Sequence, residues 1–196
     1  RMNKATKESK MKPSPFMTQV SKENFAHIAE ILYRYPGFYF QTRTVRHYPQ
    51  PIAAHTLGDI GEISQKELDK DQEGYYRQGD YVGKSGIEKS YEKELRGVKG
   101  LKVMMVDVYN REMGSFMDGE LDKDPVAGKD IYLGMDAELQ AYGEQLMQGK
   151  VGSIVAIEPS TGQILAFVSS PTYDPNLLVG RERGNNYTQL HKDTTK

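Results

Sequence analysis

The amino-acid sequence predicts an α+β fold, on three observations. Apolar residues recur at helical spacing behind capping side chains, as with Phe25, Ile28, Ala29 and Leu32 after Ser21. Short runs rich in β-branched residues face each other across turn residues, notably Val151–Ile157 and Gln163–Ser169 around Glu158-Pro159-Ser160-Thr161-Gly162. No repeat period orders these helices and strands.

Each element follows in turn. Residues 1–12 hold Arg1, Lys4, Lys7, Lys10 and Lys12 against Glu8, which reads as a basic helix end or a disordered arm, closed by Pro13 and Pro15. An opening without leader or anchor reads as a piece of something longer. Ser21 starts a helix that Pro36-Gly37 stops. Phe38 to Val45 alternates and reads as a strand. Pro49 and Pro51 lack donors, so that strand cannot continue as a central one. Gly58 and Gly61 punctuate a loop.

Ser64 with Glu67 forms a capping box for a short acidic helix reaching about Glu73. Ser85 with Glu88 forms a second, for a helix whose Ile87, Tyr91 and Leu95 make one stripe and which Gly97 ends. Leu101–Val108 and Glu112–Asp118 read as a hairpin around Tyr109-Asn110-Arg111. Asp122–Gly128 reads as a linker, which puts a domain boundary near 122–130. Ile131–Leu133 reads as a brief strand. Asp136 caps a helix with Leu139, Tyr142, Leu146 and Met147 on one face. From Pro171 onward the chain turns polar and irregular.

Composition removes several functions. The 196 residues are 37% hydrophobic and carry 26 basic against 27 acidic side chains, a net charge of −1. That balance provides no field for nucleic acid or anionic lipid, and the 13 tyrosines do not interleave with basic residues. No cysteine occurs, which excludes disulfides, thiolate catalysis and cysteine-ligated metal. No apolar window is long enough for a membrane span. His27, His47, His55 and His191 have no carboxylate at ligand spacing, so neither a metal nor a cofactor is expected. Gly58-Asp59-Ile60-Gly61 and Gly97-Val98-Lys99-Gly100 lack the strand–turn–helix setting of a phosphate loop and read as turns.

Ser90-Tyr91-Glu92-Lys93 has the S-x-x-K spacing of serine acyl enzymes, which puts an amine beside a hydroxyl on a helix. The sequence holds no S-x-N and no K-T-G to complete such a site, and a second S-x-x-K, Ser9 to Lys12, falls in the basic arm. A self-contained acyl enzyme on Ser90 and Lys93 is therefore the rival reading, beside an unrelated surface-binding module.

Four strings carry a resemblance. Arg46-His47-Tyr48-Pro49 with Ala53-Ala54-His55-Thr56-Leu57-Gly58 resembles the R-x-Y-P…A-x-H-x-x-G segment of class B penicillin-binding proteins. Gly83-Lys84-Ser85-Gly86-Ile87-Glu88 with Leu95-Arg96-Gly97-Val98-Lys99-Gly100 resembles their G-x-x-G-[LI]-E…L-x-G-x-x-G. Leu133-Gly134-Met135-Asp136 with Leu139-Gln140 resembles the L-T-x-D-x-x-L-Q before their transpeptidase domain. The runs from Val151 to Ala166 and Ser169-Ser170-Pro171-Thr172-Tyr173-Asp174-Pro175-Asn176 resemble that domain's opening hairpin. The order and spacing are similar to the elongation-type members. The motif residues so assigned are Arg46, Tyr48, Pro49, His55, Gly58, Gly83, Gly86, Glu88, Gly97, Gly100, Asp136, Gln140, Gly162, Pro171, Asp174 and Asn176. Pro51 stands where the family usually has glycine.

The resemblance implies an elongated, non-catalytic pedestal (dimerisation) domain over residues 1–125. It implies the first helix and β-hairpin of a transpeptidase domain over 126–196, without its catalytic motifs. The whole protein would be a penicillin-sensitive D,D-transpeptidase that cross-links peptidoglycan through a serine ester. It would lie on the periplasmic side of the bacterial inner membrane, anchored by one N-terminal helix. It would work with a polytopic glycosyltransferase and a rod-shape scaffold protein. No nucleic-acid partner is implied.

Two geometric expectations follow. Arg46 should meet Glu88, a planar guanidinium suiting a bidentate carboxylate. The hairpin at 151–169 is apolar on both faces, whereas the helix at 137–148 can cover only one. Its free edge should then pair with a second copy or stay mobile.

Overall fold

The computed structural model describes Met17 and residues 20–35, 37, 38, 40, 42, 44–109 and 111–193. The basic arm, Pro13, Pro15, Pro36 and Asn110 lie outside the described residues. Along the chain run α1 (Lys22–Leu32), α2 (Ala54–Leu57), β1 (Ile60–Glu62), α3 (Gln65–Leu68), β2 (Tyr81–Gly83), α4 (Gly86–Ser90) and α5 (Glu92–Leu95). Then come β3 (Met104–Val106), β4 (Glu112–Ser115), α6 (Ala137–Leu146), β5 (Gly152–Ile157), β6 (Ile164–Ser170) and α7 (Arg183–Lys192), with 3-10 turns at Phe116–Gly119 and Pro175–Leu178. Among the described residues the strands form three antiparallel pairs, β1–β2, β3–β4 and β5–β6. Two compact units result, one from 1–44 with 101–123 and the other from 45–100 with 124–196. Both are discontinuous in sequence, the chain crossing between them near 44, 100 and 123.

In the first unit, the Ser21 hydroxyl accepts from the Asn24 N–H at 3.3 Å and so caps α1. The expected strand at 38–45 does not form at its described positions. Phe40 instead packs on Phe25 of α1, with ring centroids 4.9 Å apart, so an aromatic side chain faces a helix where a strand partner was expected. The hairpin forms with Met104 opposite Ser115 and a bulge at Met105/Val106. No residue of β3 or β4 is buried. The Asp122 carboxylate accepts from the Val103 N–H at 2.8 Å.

In the second unit, Ala53, Ala54, Ile63, Ala166, Val168 and Leu178 are buried, a small core. The Asp136 carboxylate accepts from the N–H groups of Glu138 and Leu139 and starts α6. The helix lies close on β6 because Gly143 has no side chain: a Cβ there would stand 2.8 Å from Val168 Cγ2. Ile154 lies opposite Val168 and Ala156 opposite Ala166, on the face toward α6. The other face leaves Val155, Ile157, Ile164 and Phe167 exposed. One helix covers one face, as the apolar alternation predicts.

Several sequence expectations need correction. The helix expected over 85–96 breaks at Tyr91 (φ −113°, ψ 25°) into α4 and α5. Its capping box does not form, because Glu88 serves Arg46 and the Ser85 hydroxyl donates to Asp59 Oδ1 at 2.6 Å. The Ser64–Glu67 box does form, with the carboxylate accepting from the Ser64 N–H at 2.8 Å and its hydroxyl at 2.6 Å, but α3 stops at Leu68. The expected linker is tied down: Lys123 exchanges backbone hydrogen bonds with Leu101, and Val126 with Val98, at 2.8–2.9 Å. Ile131–Leu133 makes no strand. Beyond Pro171 the chain is regular, with a 3-10 turn and α7. No apolar stripe marks α7; it is held instead by Arg183, whose Nε donates to the Ile60 carbonyl at 2.8 Å and whose Nη2 meets Asp59 at 2.5 Å.

Candidate functional site: a hydrogen-bonded joint

Three of the four motif strings meet in one place within the second unit. Arg46 forms a two-point ion pair with Glu88, Nε to Oε1 at 2.9 Å and Nη2 to Oε2 at 3.0 Å. The Glu88 side chain is only 10% exposed and that of Arg46 40%. The Tyr48 hydroxyl donates to the same carboxylate at 3.4 Å. Burial, reinforced by the Glu88 charge, pushes the Tyr48 phenol up to about 12, so it stays protonated as a donor.

The Tyr48 backbone makes the second half of the joint. Its N–H donates to Asn176 Oδ1 at 3.0 Å, and Asn176 Nδ2 donates to its carbonyl at 2.9 Å. A carboxamide thereby satisfies both backbone groups of one residue, as a neighbouring strand would. Asp174 fixes that carboxamide, accepting from the Asn176 N–H at 2.8 Å and from Nδ2 at 2.9 Å. Nearby, His55 Nε2 lies 3.0 Å from the Pro171 carbonyl and its ring meets Tyr173 edge-on.

Backbone contact completes the joint. Gly58 (φ 82°) and Gly86 (φ 59°) lie in the left-handed region, and a Cβ on Gly86 would stand 2.5 Å from the Thr56 carbonyl oxygen. The loop after α2 and the start of α4 can touch only because both residues are glycine. Gly83 ends β2, Gly97 follows α5 beside Val126, Gly100 precedes the Leu101 bridge, and Gly162 sits in the β5–β6 turn. Pro49 directly follows Tyr48 in the chain.

Asp136 and Gln140 serve the hairpin. Gln140 is 1% exposed; its Oε1 accepts from the Phe167 N–H at 2.8 Å and its Nε2 donates to the Phe167 carbonyl at 3.2 Å. It occupies the outer edge of β6. Among the described residues no strand pairs with the outer edge of β5.

The rival serine site does not assemble. The Ser90 hydroxyl donates to the Gly86 carbonyl at 3.1 Å, and Lys93 Nζ reaches Glu73 at 2.7 Å. Among the described residues no group of three or more potential ligands could hold a metal, and no helix is long and apolar enough to cross a membrane.

Sequence reasoning missed several contributors. Glu144 accepts from the Ala53 N–H at 2.6 Å, joining α6 to the residues before α2. Glu67 pairs with Lys84 at 2.5 Å, which with the Ser64 bonds draws its carboxyl down to about 2. Tyr75, Tyr76, Arg96 and Lys99 stack around Glu73, Glu92 and Asp80, with the Arg96 guanidinium 4.0 Å from the Tyr75 ring centre. Apart from the i,i+3 capping box, these partners stand sixteen to ninety-one residues apart, so only the box carried a signal.

Residues 1–133 match the model of the penicillin-binding protein dimerisation domain. The chain belongs to that family. It is 38% identical over 175 residues to the peptidoglycan D,D-transpeptidase MrdA of Acinetobacter baumannii, covering 87% of this chain and 25% of that protein. A solved complex between penicillin-binding protein PBP2 and MreC from Helicobacter pylori matches 100% of this chain and 37% of its own, with 26% identity and a TM-score of 0.74. A solved peptidoglycan synthase complex that coordinates polymerization and crosslinking matches 89% of this chain and 32% of its own, with 25% identity and a TM-score of 0.62. The chain spans 25–30% of the length of its MrdA relatives.

Proposed function

We propose that this chain is the pedestal and first hairpin of a peptidoglycan D,D-transpeptidase, acting as spacer and partner-interaction module while the acylating serine lies elsewhere in the longer protein. Residues 1–125 form the pedestal part and 126–196 the opening of the catalytic domain. The observation that carries this reading is the joint itself. Arg46, Tyr48 and Glu88 from the pedestal strings are bonded to one another, and the Tyr48 backbone is bonded to Asn176 from the string that opens the transpeptidase domain.

A catalytic domain built onto β5–β6 would inherit its orientation from that joint. The whole protein would then act on the periplasmic side of a bacterial inner membrane. The partners are a rod-shape scaffold protein and a polytopic glycosyltransferase, supported by the MreC complex and the synthase complex among the similar structures.

Two measurements on the 196-residue chain test this. Incubation with a fluorescent penicillin, read by intact-mass spectrometry, should leave the chain unmodified; a stoichiometric adduct on Ser90 would establish the rival. Titration with the extracytoplasmic domain of the rod-shape scaffold protein should show saturable binding, and its absence removes the partner role.

A further inference from the structure

We propose that the β3–β4 hairpin is a sulfoxidation site, accepting one oxygen atom on each of Met105, Met113 and Met117 from a hypohalous acid. Of nine methionines in the chain, four fall within residues 104–117. Met105 is 44% exposed, Met113 65% and Met117 55%. Met113 sits beside the bulge of the hairpin, and Met117 is held in the left-handed region (φ 48°) two residues after β4. The chain has no cysteine to intercept the oxidant first, so thioethers are its most reactive sulfur.

The chemistry balances without a bound cofactor. The sulfur lone pair takes chlorine from hypochlorous acid, water displaces chloride at sulfur, and the net release is chloride and one proton. Sulfur loses two electrons and chlorine gains them. A flexible apolar thioether becomes a polar sulfoxide. Two of these changes, at Met105 and Met113, would fall in the ribbon whose Val106, Val108 and Tyr109 are exposed, and the third would fall beyond its open end, making an apolar surface polar while β3–β4 pairing stays intact.

The chain carries its own references. Met135 lines a recess of about 320 Å³ with Ile164 and Phe167. The Met147 methyl lies against Gly152. Neither is exposed, whereas Met17 is exposed outside the hairpin.

The whole chain is treated with substoichiometric hypochlorous acid, quenched and mapped by peptide mass spectrometry. Met105, Met113 and Met117 should oxidise at least about fivefold faster than Met135 and Met147. In denaturant the rates should converge. Methionine sulfoxide reductases A and B together should return the oxidised chain to its starting mass. A variant carrying M105L, M113L and M117L should keep the thermal transition and lose most of the early oxygen uptake, leaving Met17 as the fast described site. A native-state ratio below about fivefold, or retained early uptake in the leucine variant, overturns the proposal.

Discussion

The β3–β4 and β5–β6 ribbons are both two-stranded, antiparallel and bulged, yet only one of them has an inside. β3 and β4 bury no residue. β6 buries Ala166 and Val168 under α6, and the Gln140 carboxamide fills its outer edge. Strand pairing is common to both and therefore does not account for the difference. What accounts for it is a helix laid across one face and a side chain that replaces a missing strand. A hairpin by itself is marginal in water, and the second ribbon gains its order from elements that are not strands.

The comparison can be broken most directly at Gln140. Gln140→Leu keeps the side-chain size but strands the Phe167 N–H and leaves its carbonyl only the Thr56 hydroxyl at 3.4 Å, at a cost of roughly 2–5 kcal/mol. Urea unfolding should show that loss, with faster hydrogen exchange at Phe167. A loss under about 1 kcal/mol would mean α6 packing alone orders the ribbon.

The joint should respond less. Glu88→Ala removes the carboxylate from a guanidinium that water already reaches, so it should cost about 1.5–3 kcal/mol rather than the penalty of a fully buried pair. Thermal unfolding of the variant is the measurement. The smallest effect belongs to the other ribbon: Met113→Gln on β4 should change stability by less than about 0.5 kcal/mol. A larger loss there would reveal packing that the exposure of β4 does not predict.

The sequence was most legible where one residue does one local job. Ser21 and Asp136 cap the helices that follow them, and the alternation over 151–169 yields the hairpin and its two faces. The Arg46–Glu88 pair was reachable only through the motifs that contain it. Legibility failed where a side chain had two possible partners. Glu88 and Ser85 have the spacing of a capping box, but long-range partners take both, and the helix behind them breaks at Tyr91.

Strands as short as Ile60–Glu62 and Tyr81–Gly83 leave too few positions for a period to register. The helix at Arg183–Lys192 depends on the Arg183 guanidinium and on Asn186, whose Nδ2 donates to the Leu177 carbonyl, rather than on a stripe. The run at 38–45 has strand composition, yet its Phe40 found an aromatic ring on a helix instead.

The edge occupied by Gln140 makes the β5–β6 ribbon directional. Its carboxamide, with Asp136 donating to the Leu165 carbonyl and Thr56 to that of Phe167, seals one margin and leaves Gly152–Ile157 as the other. Any strand recruited to this ribbon must therefore add beside β5. Enlargement then proceeds away from α6 and never dislodges it. A two-stranded ribbon sealed in this way is a seed with a single growing side, and the arrangement of everything added to it is decided before the first new strand arrives.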